Sequence, residues 1–162
     1  MSLLSNIKTF YINFIIILSI FILDRLTKLY VIHLDKIDSG TKIFSSKFLN
    51  IYLIWNEGIA FGLFSSNESS LYNFLTLFIL IIILVILYMM TKSSGLKKYS
   101  LLMILGGAIG NVFDRIIYKA VPDFIDFHVG NFHWFIFNVS DIFISVGVIL
   151  MVILELTDKP KI

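Results

Sequence analysis

The stretch Leu71-Tyr-Asn-Phe-Leu-Thr-Leu-Phe-Ile-Leu-Ile-Ile-Ile-Leu-Val-Ile-Leu-Tyr-Met-Met90 decides the fold. It lies in the longest charge-free run of the chain, between Glu68 and Lys92. It supplies the ~20 predominantly apolar residues that a helix rising 1.5 Å per residue needs to cross about 30 Å of hydrocarbon. The composition agrees. Of 162 residues, 58% are hydrophobic and 15% charged, and the mean hydropathy is +0.93. A soluble domain of this length cannot bury that much apolar surface, so the excess faces lipid.

Three further apolar runs, Thr9–Leu23, Tyr99–Phe113 and Ile142–Leu154, are too short between charges to span alone. Each must take in charged neighbours: Asp24 for the first, Asp114 and Arg115 for the second, Asp141 for the third. The pattern predicts four spans near 9–30, 71–90, 99–118 and 136–156, joined through longer segments at 31–70 and 119–135. Tyr11, Tyr30, Tyr72, Tyr88, Tyr99 and Tyr118 fall at the span ends and Trp134 just before the fourth, where amphipathic rings prefer to sit. A cleaved signal peptide is the competing reading of the N-terminus, since Lys8 precedes a short apolar run. No small-residue cleavage site follows, and Asp24-Arg25 comes instead. The expected class is therefore membrane all-α: one integral membrane domain over 1–162, a four-helix transmembrane bundle with a small extracytoplasmic β cradle.

Orientation follows from short-loop lysines. The connection 91–98 holds Lys92, Lys97 and Lys98 without an acid, which predicts a cytoplasmic loop. Four spans then put both termini in the cytoplasm, in keeping with Lys8, Lys159 and Lys161, and turn 31–70 and 119–135 outward. The absence of cysteine excludes disulfides. A net charge of +2 gives no sign of a nucleic-acid partner.

Alternating spans turn a list of charges into a location. Asp24, Asp114 and Asp141 all fall in the outer leaflet. Charges at membrane depth cost roughly 2.5–3.5 kcal/mol on insertion scales, so they are expected to face the bundle interior and to be functional. Asn111 and Asp114 are three apart, as are Asn138 and Asp141, so each pair shares a helix face. Asp24 and Lys28 are four apart, acid first, which suits an intrahelical ion pair. The spacing Gly106-x-x-x-Gly110 predicts close approach of another helix.

In segment 31–70, Phe48–Trp55 is rich in β-formers and is followed by the turn-prone Asn56-Glu57-Gly58. Ser65–Ser70 then reads as a polar break and a cap for the second span. In segment 119–135, Val121–Val129 reads as extended, with Asp123 behind Pro122. Asp126, His128 and His133 carry metal-binding groups, but their spacing matches no established motif, and there is no His-Glu-x-x-His. No metal and no cofactor are expected.

Two carboxyls brought together in a site of low dielectric cannot both ionise cheaply, so one keeps a proton. The ionised partner can deprotonate a water while the other polarises a carbonyl, without metal, cysteine or activated serine. A proton or ion path through the bundle, as in a proton-coupled transporter, uses the same residue types. Spacing alone leaves both open.

The motifs, taken in order, resemble those of lipoprotein signal peptidase (signal peptidase II), a bacterial aspartic protease of the cytoplasmic (inner) membrane. They are Asp24-x-x-x-Lys28, Asn56-Glu-Gly58-Ile-Ala60-Phe61-Gly62, Gly106-Gly-Ala-Ile-Gly110-Asn111-Val-Phe-Asp114-Arg115, Val121-Pro122-Asp123-Phe124 and Phe137-Asn138-Val-Ser-Asp141. The resemblance implies that Asp123 and Asp141 are the catalytic pair. It makes Asp114 a supporting residue, paired with Arg115. Asn56 and Arg115 are then expected to hold the substrate backbone, and Asn111 and Asn138 to fix the site, with Asp24, Lys28 and Gly58 supporting it. Two positions depart from the family pattern: Ser140 stands where alanine is usual, and Trp55 where arginine is common. The implied partners are prolipoproteins whose cysteine already carries diacylglycerol, cut just before that cysteine, together with membrane lipid. A bundle this size can act as a monomer.

Overall fold

A computed structural model of the chain describes residues 3–38, 42–58 and 69–158. The elements, in chain order, are α1 (Leu3–Asp38), β1 (Phe44–Ser45), β2 (Leu49–Asn56), α2 (Ser69–Lys92), α3 (Gly95–Tyr118), β3 (Val121–Val129), β4 (Phe132–Phe137) and α4 (Val139–Thr157). Three of these helices are long and apolar enough to cross a membrane, over Asn73–Lys92, Gly95–Tyr118 and Val139–Thr157. The fold is mostly helical with one small antiparallel sheet, where the sequence led to a helical protein with a small β cradle.

The helix that organises the others is α3. Of its apolar window 67% is buried, against 11% for those of α2 and α4, and it packs against all three other helices. Glycines allow the closest of these approaches. A Cβ on Gly107 would stand 2.5 Å from the Ser140 carbonyl oxygen of α4, and one on Gly110 would meet the Ser140 hydroxyl and Asp24. Gly106 faces Ile20 of α1 instead. The expected Gly106/Gly110 seam is present against Ile20 and Asp24 of α1, and Gly107 and Gly110 add a second close approach, to Ser140 of α4.

Three boundaries differ from the sequence expectation, the start of α3 at Gly95 rather than 99 among them; the other two have a visible cause. First, α1 does not stop near residue 30 but continues to Asp38. Ile20, Asp24, Lys28 and Val31 are buried in one row at spacings of four and three. That row keeps the helix docked beyond the expected span, and so shortens the outer segment. Second, the fourth helix starts at Val139 rather than 136, because Ile136 and Phe137 pair with Asp126 and Ile125 as part of β4.

The sheet has the order β1-β2-β3-β4, antiparallel throughout. The β-rich run around 48–55 forms β2 as expected, and Val121–Val129 forms β3. Asn50 is registered with Asp126, Asn56 with Val121, and His128 with His133. At the other end of the bundle, Lys97 of α3 pairs with Glu155 (3.0 Å) and Asp158, tying the start of α3 to the end of α4. The expected cap of the second span at 65–68 and the motif residues Ala60, Phe61 and Gly62 lie outside the described residues.

Candidate active site

The N-terminus of α4 builds half of the site. Asn138 has extended backbone and caps the helix: its Oδ1 accepts from the Asp141 amide at 3.1 Å, and Asp141 Oδ2 accepts from the Asn138 amide at 3.1 Å. This reciprocal capping box fixes the Asp141 rotamer at the first turn. The second carboxylate oxygen, Oδ1, accepts from Asn111 Nδ2 of α3 at 2.8 Å.

Asp123, on β3, forms the other half. It is 3% exposed. Its Oδ1 accepts from Asn138 Nδ2 at 2.6 Å and its Oδ2 from Asn56 Nδ2 at 2.8 Å. Asn138 therefore holds both acids, Asp123 through its side-chain amide and Asp141 through its backbone amide. Burial, and then the negative charge of nearby Asp141, push the Asp123 carboxyl up to about 7, against the opposing pull of the Asn56 and Asn138 hydrogen bonds.

Beneath this pair lies a buried charge cluster. Lys28 Nζ, fully buried, donates to Asp24 Oδ2 at 2.8 Å, Asn111 Oδ1 at 2.9 Å and Asp114 Oδ2 at 2.7 Å. An ammonium has three protons, and all three are used. Asp24 Oδ1 accepts from the Ser140 amide at 2.9 Å, and Arg25 Nη1 stands 2.6 Å from Asp114 Oδ1. The expected Asp24–Lys28 ion pair is present. The expected Asp114–Arg115 pairing is replaced, because Asp114 turns to Lys28 and Arg25 of α1. Arg115 instead donates to the Gly58 carbonyl at 2.9 Å and the Asn111 carbonyl at 3.4 Å. Gly58 in turn donates its amide to Asn56 Oδ1 at 2.9 Å. The turn after β2 is thereby pinned between Asn56 and Arg115.

The two acids line one cavity of about 340 Å³, walled by apolar side chains such as Phe78, Ile82 and Ile144, with Asn56, Asn111, Arg115 and Asn138 as its polar groups. A second, more open cavity of about 640 Å³, lined by Phe48, Phe127, Trp134, Phe137 and Val146, also reaches Asp141. Asp141 stands where the two cavities meet.

All ten residues singled out in the sequence, Asp24, Lys28, Asn56, Gly58, Asn111, Asp114, Arg115, Asp123, Asn138 and Asp141, join this one hydrogen-bonded assembly. Sequence reasoning missed Arg25, whose guanidinium is buried against Asp114 and over the Phe113 ring at 5.2 Å. Its charge inside a span, next to Asp24, was the available signal. Of the two departures, Ser140 is buried with an unpartnered hydroxyl. Trp55 packs edge-on against Tyr118 at 5.4 Å.

Comparison with known proteins places this geometry. A family model described as signal peptidase (SPase) II matches residues 16–157. The lipoprotein signal peptidase of Pelagibacter ubique is 52% identical over 151 residues, covering 93% of this chain and 91% of that protein. The lipoprotein signal peptidase of Anaplasma marginale is 36% identical over 156 residues, covering 95% and 89%. Two solved structures, each described as a bacterial membrane enzyme determined by the in meso method, share the fold. One, at 2.3 Å resolution, superposes with a TM-score of 0.70 at 28% identity and covers 93% of each chain. The other, at 1.9 Å, gives 0.74 at 25% identity, covering 91% of this chain and 94% of that one. The match extends from the middle of α1 to the last turn of α4 and so takes in every side chain of the assembly around Asp123 and Asp141: the chain belongs to the signal peptidase II family.

Proposed function

We propose that the chain is a membrane aspartic endopeptidase that removes the signal peptide from diacylglyceryl-modified prolipoproteins, cleaving before the lipidated cysteine. Asp123 and Asp141 are the catalytic pair. The observation that carries this reading is their arrangement: a buried Asp123 and a half-buried Asp141 on one cavity, both oxygens of each held by asparagine, with Asp123 raised to about 7. That is the environment in which one carboxyl donates while the other accepts.

In the proposed reaction Asp123 is protonated and donates to the scissile carbonyl oxygen. Asp141 takes a proton from water, whose oxygen bonds to the carbonyl carbon. The tetrahedral diol collapses as the C–N bond breaks, and a proton passes from the pair to the leaving nitrogen. The products are a signal peptide ending in a carboxylate and a lipoprotein beginning at the cysteine amine. The apolar walls of the two cavities support an apolar, lipid-bearing substrate that enters from the side of the bundle.

A single integral membrane domain with α1 as its fourth span fits the 36-residue length of α1 and the exposed Phe14, Ile15, Leu18, Ile22 and Leu26 along it. We place the sheet outside the bacterial cytoplasmic membrane and both termini inside, on the lysines of the 91–98 connection. One chain supplies every residue of the site, so a monomer suffices.

The test is cleavage of a diacylglyceryl-modified prolipoprotein by the purified protein in detergent, wild type beside Asp141→Asn. Cleavage by the wild type alone supports the pair. Equal cleavage by both, or none by a folded wild type, overturns it.

A further inference from the structure

The sheet brings together three side chains that the chemistry above does not use. Asp126 and His128 are two apart on β3, and so share one face of the strand. His133, on β4, is the cross-strand partner of His128. The two imidazoles stack with centroids 5.0 Å apart and planes 17° from parallel. His133 Nδ1 lies 2.9 and 3.0 Å from the two carboxylate oxygens of Asp126. One ligand atom from each of Asp126, His128 and His133 can be chosen so that all lie within 4.8 Å of one another.

An ordinary histidine–aspartate hydrogen bond explains one contact of this group but not its whole arrangement. Asp126 is fully buried at the base, while the His133 side chain is 48% exposed at the top. A cation can thus enter from solvent and meet a fixed carboxylate. Asn50, registered opposite Asp126, donates Nδ2 to Asp126 Oδ2 at 2.9 Å and lies 3.3 Å from His128 Nδ1. Such outer partners orient metal ligands.

We infer that Asp126, His128 and His133 form a binding site for a divalent transition-metal ion of the zinc type, bridging β3 and β4. Two imidazoles and one carboxylate suit zinc, cobalt or nickel, and are too poor in oxygen for calcium or magnesium. The site faces away from Asp123, while His128 and Asp141 both line the larger cavity. Asp123 is three residues away on the same strand and so points to its other face, toward Asn56 and Asn138. The bound ion would clamp the hairpin that carries Asp123.

The test uses the full chain without a polyhistidine tag, purified in detergent, stripped with chelator and then desalted. Zn²⁺ is titrated calorimetrically into the wild type and into His128→Gln, His133→Gln and His33→Gln. His33, on α1, is the remaining histidine of the chain and serves as control. The expected result is one Zn²⁺ per chain, weakened about tenfold or more in His128→Gln and His133→Gln and unchanged in His33→Gln. Zn²⁺ should also raise the thermal unfolding midpoint of the wild type but not of His133→Gln. Elution of each variant as a monodisperse peak shows that weakened binding is not misfolding. No saturable binding by the wild type, or binding of undiminished strength in both site variants, overturns the inference.

Discussion

Asn111 joins the buried lysine to the catalytic helix: its Oδ1 accepts from Lys28 Nζ at 2.9 Å while its Nδ2 donates to Asp141 Oδ1 at 2.8 Å. The amide can satisfy both only in one orientation, so the position of Lys28 is transmitted to the Asp141 carboxylate. Asn111→Leu removes both bonds and leaves Lys28 a proton without an acceptor. Leaving such a group unsatisfied costs about 1–3 kcal/mol. The expected outcome is a lower thermal unfolding midpoint together with a fall in kcat that exceeds any change in KM. A variant that cleaves at the wild-type kcat would remove Asn111 from the positioning of Asp141.

The two acids proposed as the catalytic pair should show the largest effect. Asp123→Asn and Asp141→Asn each lose a group that must exchange a proton, for which losses on the order of 10²–10⁴-fold are typical. Both variants should still elute as folded protein, since asparagine keeps the volume and one carbonyl oxygen.

The raised Asp123 carboxyl makes a prediction about pH. A group that must be protonated loses activity as pH rises through its value, so kcat/KM should fall above about 7. The stability effect has the same sign. The folded-state value lies above the ordinary 3.8, so the contribution of Asp123 is complete below about 4 and is lost as pH rises through about 7. Asp123→Asn carries no such dependence. Its unfolding midpoint should therefore gain on the wild type between pH 5 and pH 8. A constant difference across that range would contradict the assignment.

Lys28→Met should be the most damaging change outside the pair. It leaves Asp24 and Asp114 facing one another in the bundle, and breaking a buried ion pair in this way costs about 3–5 kcal/mol. Adding Asp24→Asn should recover part of that loss, because it removes the carboxylate left without a cation, while Asp114 keeps Arg25. Failure of the second substitution to restore any folded protein would argue against charge as the cause.

Ser140→Ala should be nearly silent. The hydroxyl is buried without a partner, and the contact that matters, from the Ser140 amide to Asp24 at 2.9 Å, belongs to the backbone. By contrast Gly107→Ala drives a methyl against the Ser140 carbonyl, which cannot yield without moving α4. Overpacking of this kind costs about 1–3 kcal/mol. Unfolding of the three proteins in parallel separates these effects.

Much of this was legible in the sequence because it is local. The Asp24–Lys28 pair and the strand character of 121–129 follow from spacings of four and two, whereas Asn138, expected on a helix face with Asp141, is instead the extended cap before α4. The full length of α1 was not legible, since the row Ile20, Asp24, Lys28, Val31 keeps its helix only by docking on α3. Arg25 was hidden for a related reason. It is one position from Asp24 and so turns about 100° away, and only the packed bundle shows that Asp114 waits there. The meeting of Asp126 with His133 depends on strand register, which joins residues with no fixed spacing in the chain.

The Lys28 cluster also has a history in the making of the protein. With α1 in the membrane, Asp24, Arg25 and Lys28 enter the bilayer while Asp114, 86 residues downstream of Lys28, has yet to be synthesised. Until then the intrahelical bond between Asp24 and Lys28 is the relief available within α1, and Arg25 has no carboxylate to meet. The ion pairs that join α1 to α3 thus close only when synthesis has passed the middle of the chain, and a product truncated before Asp114 leaves Arg25 without the carboxylate it meets here.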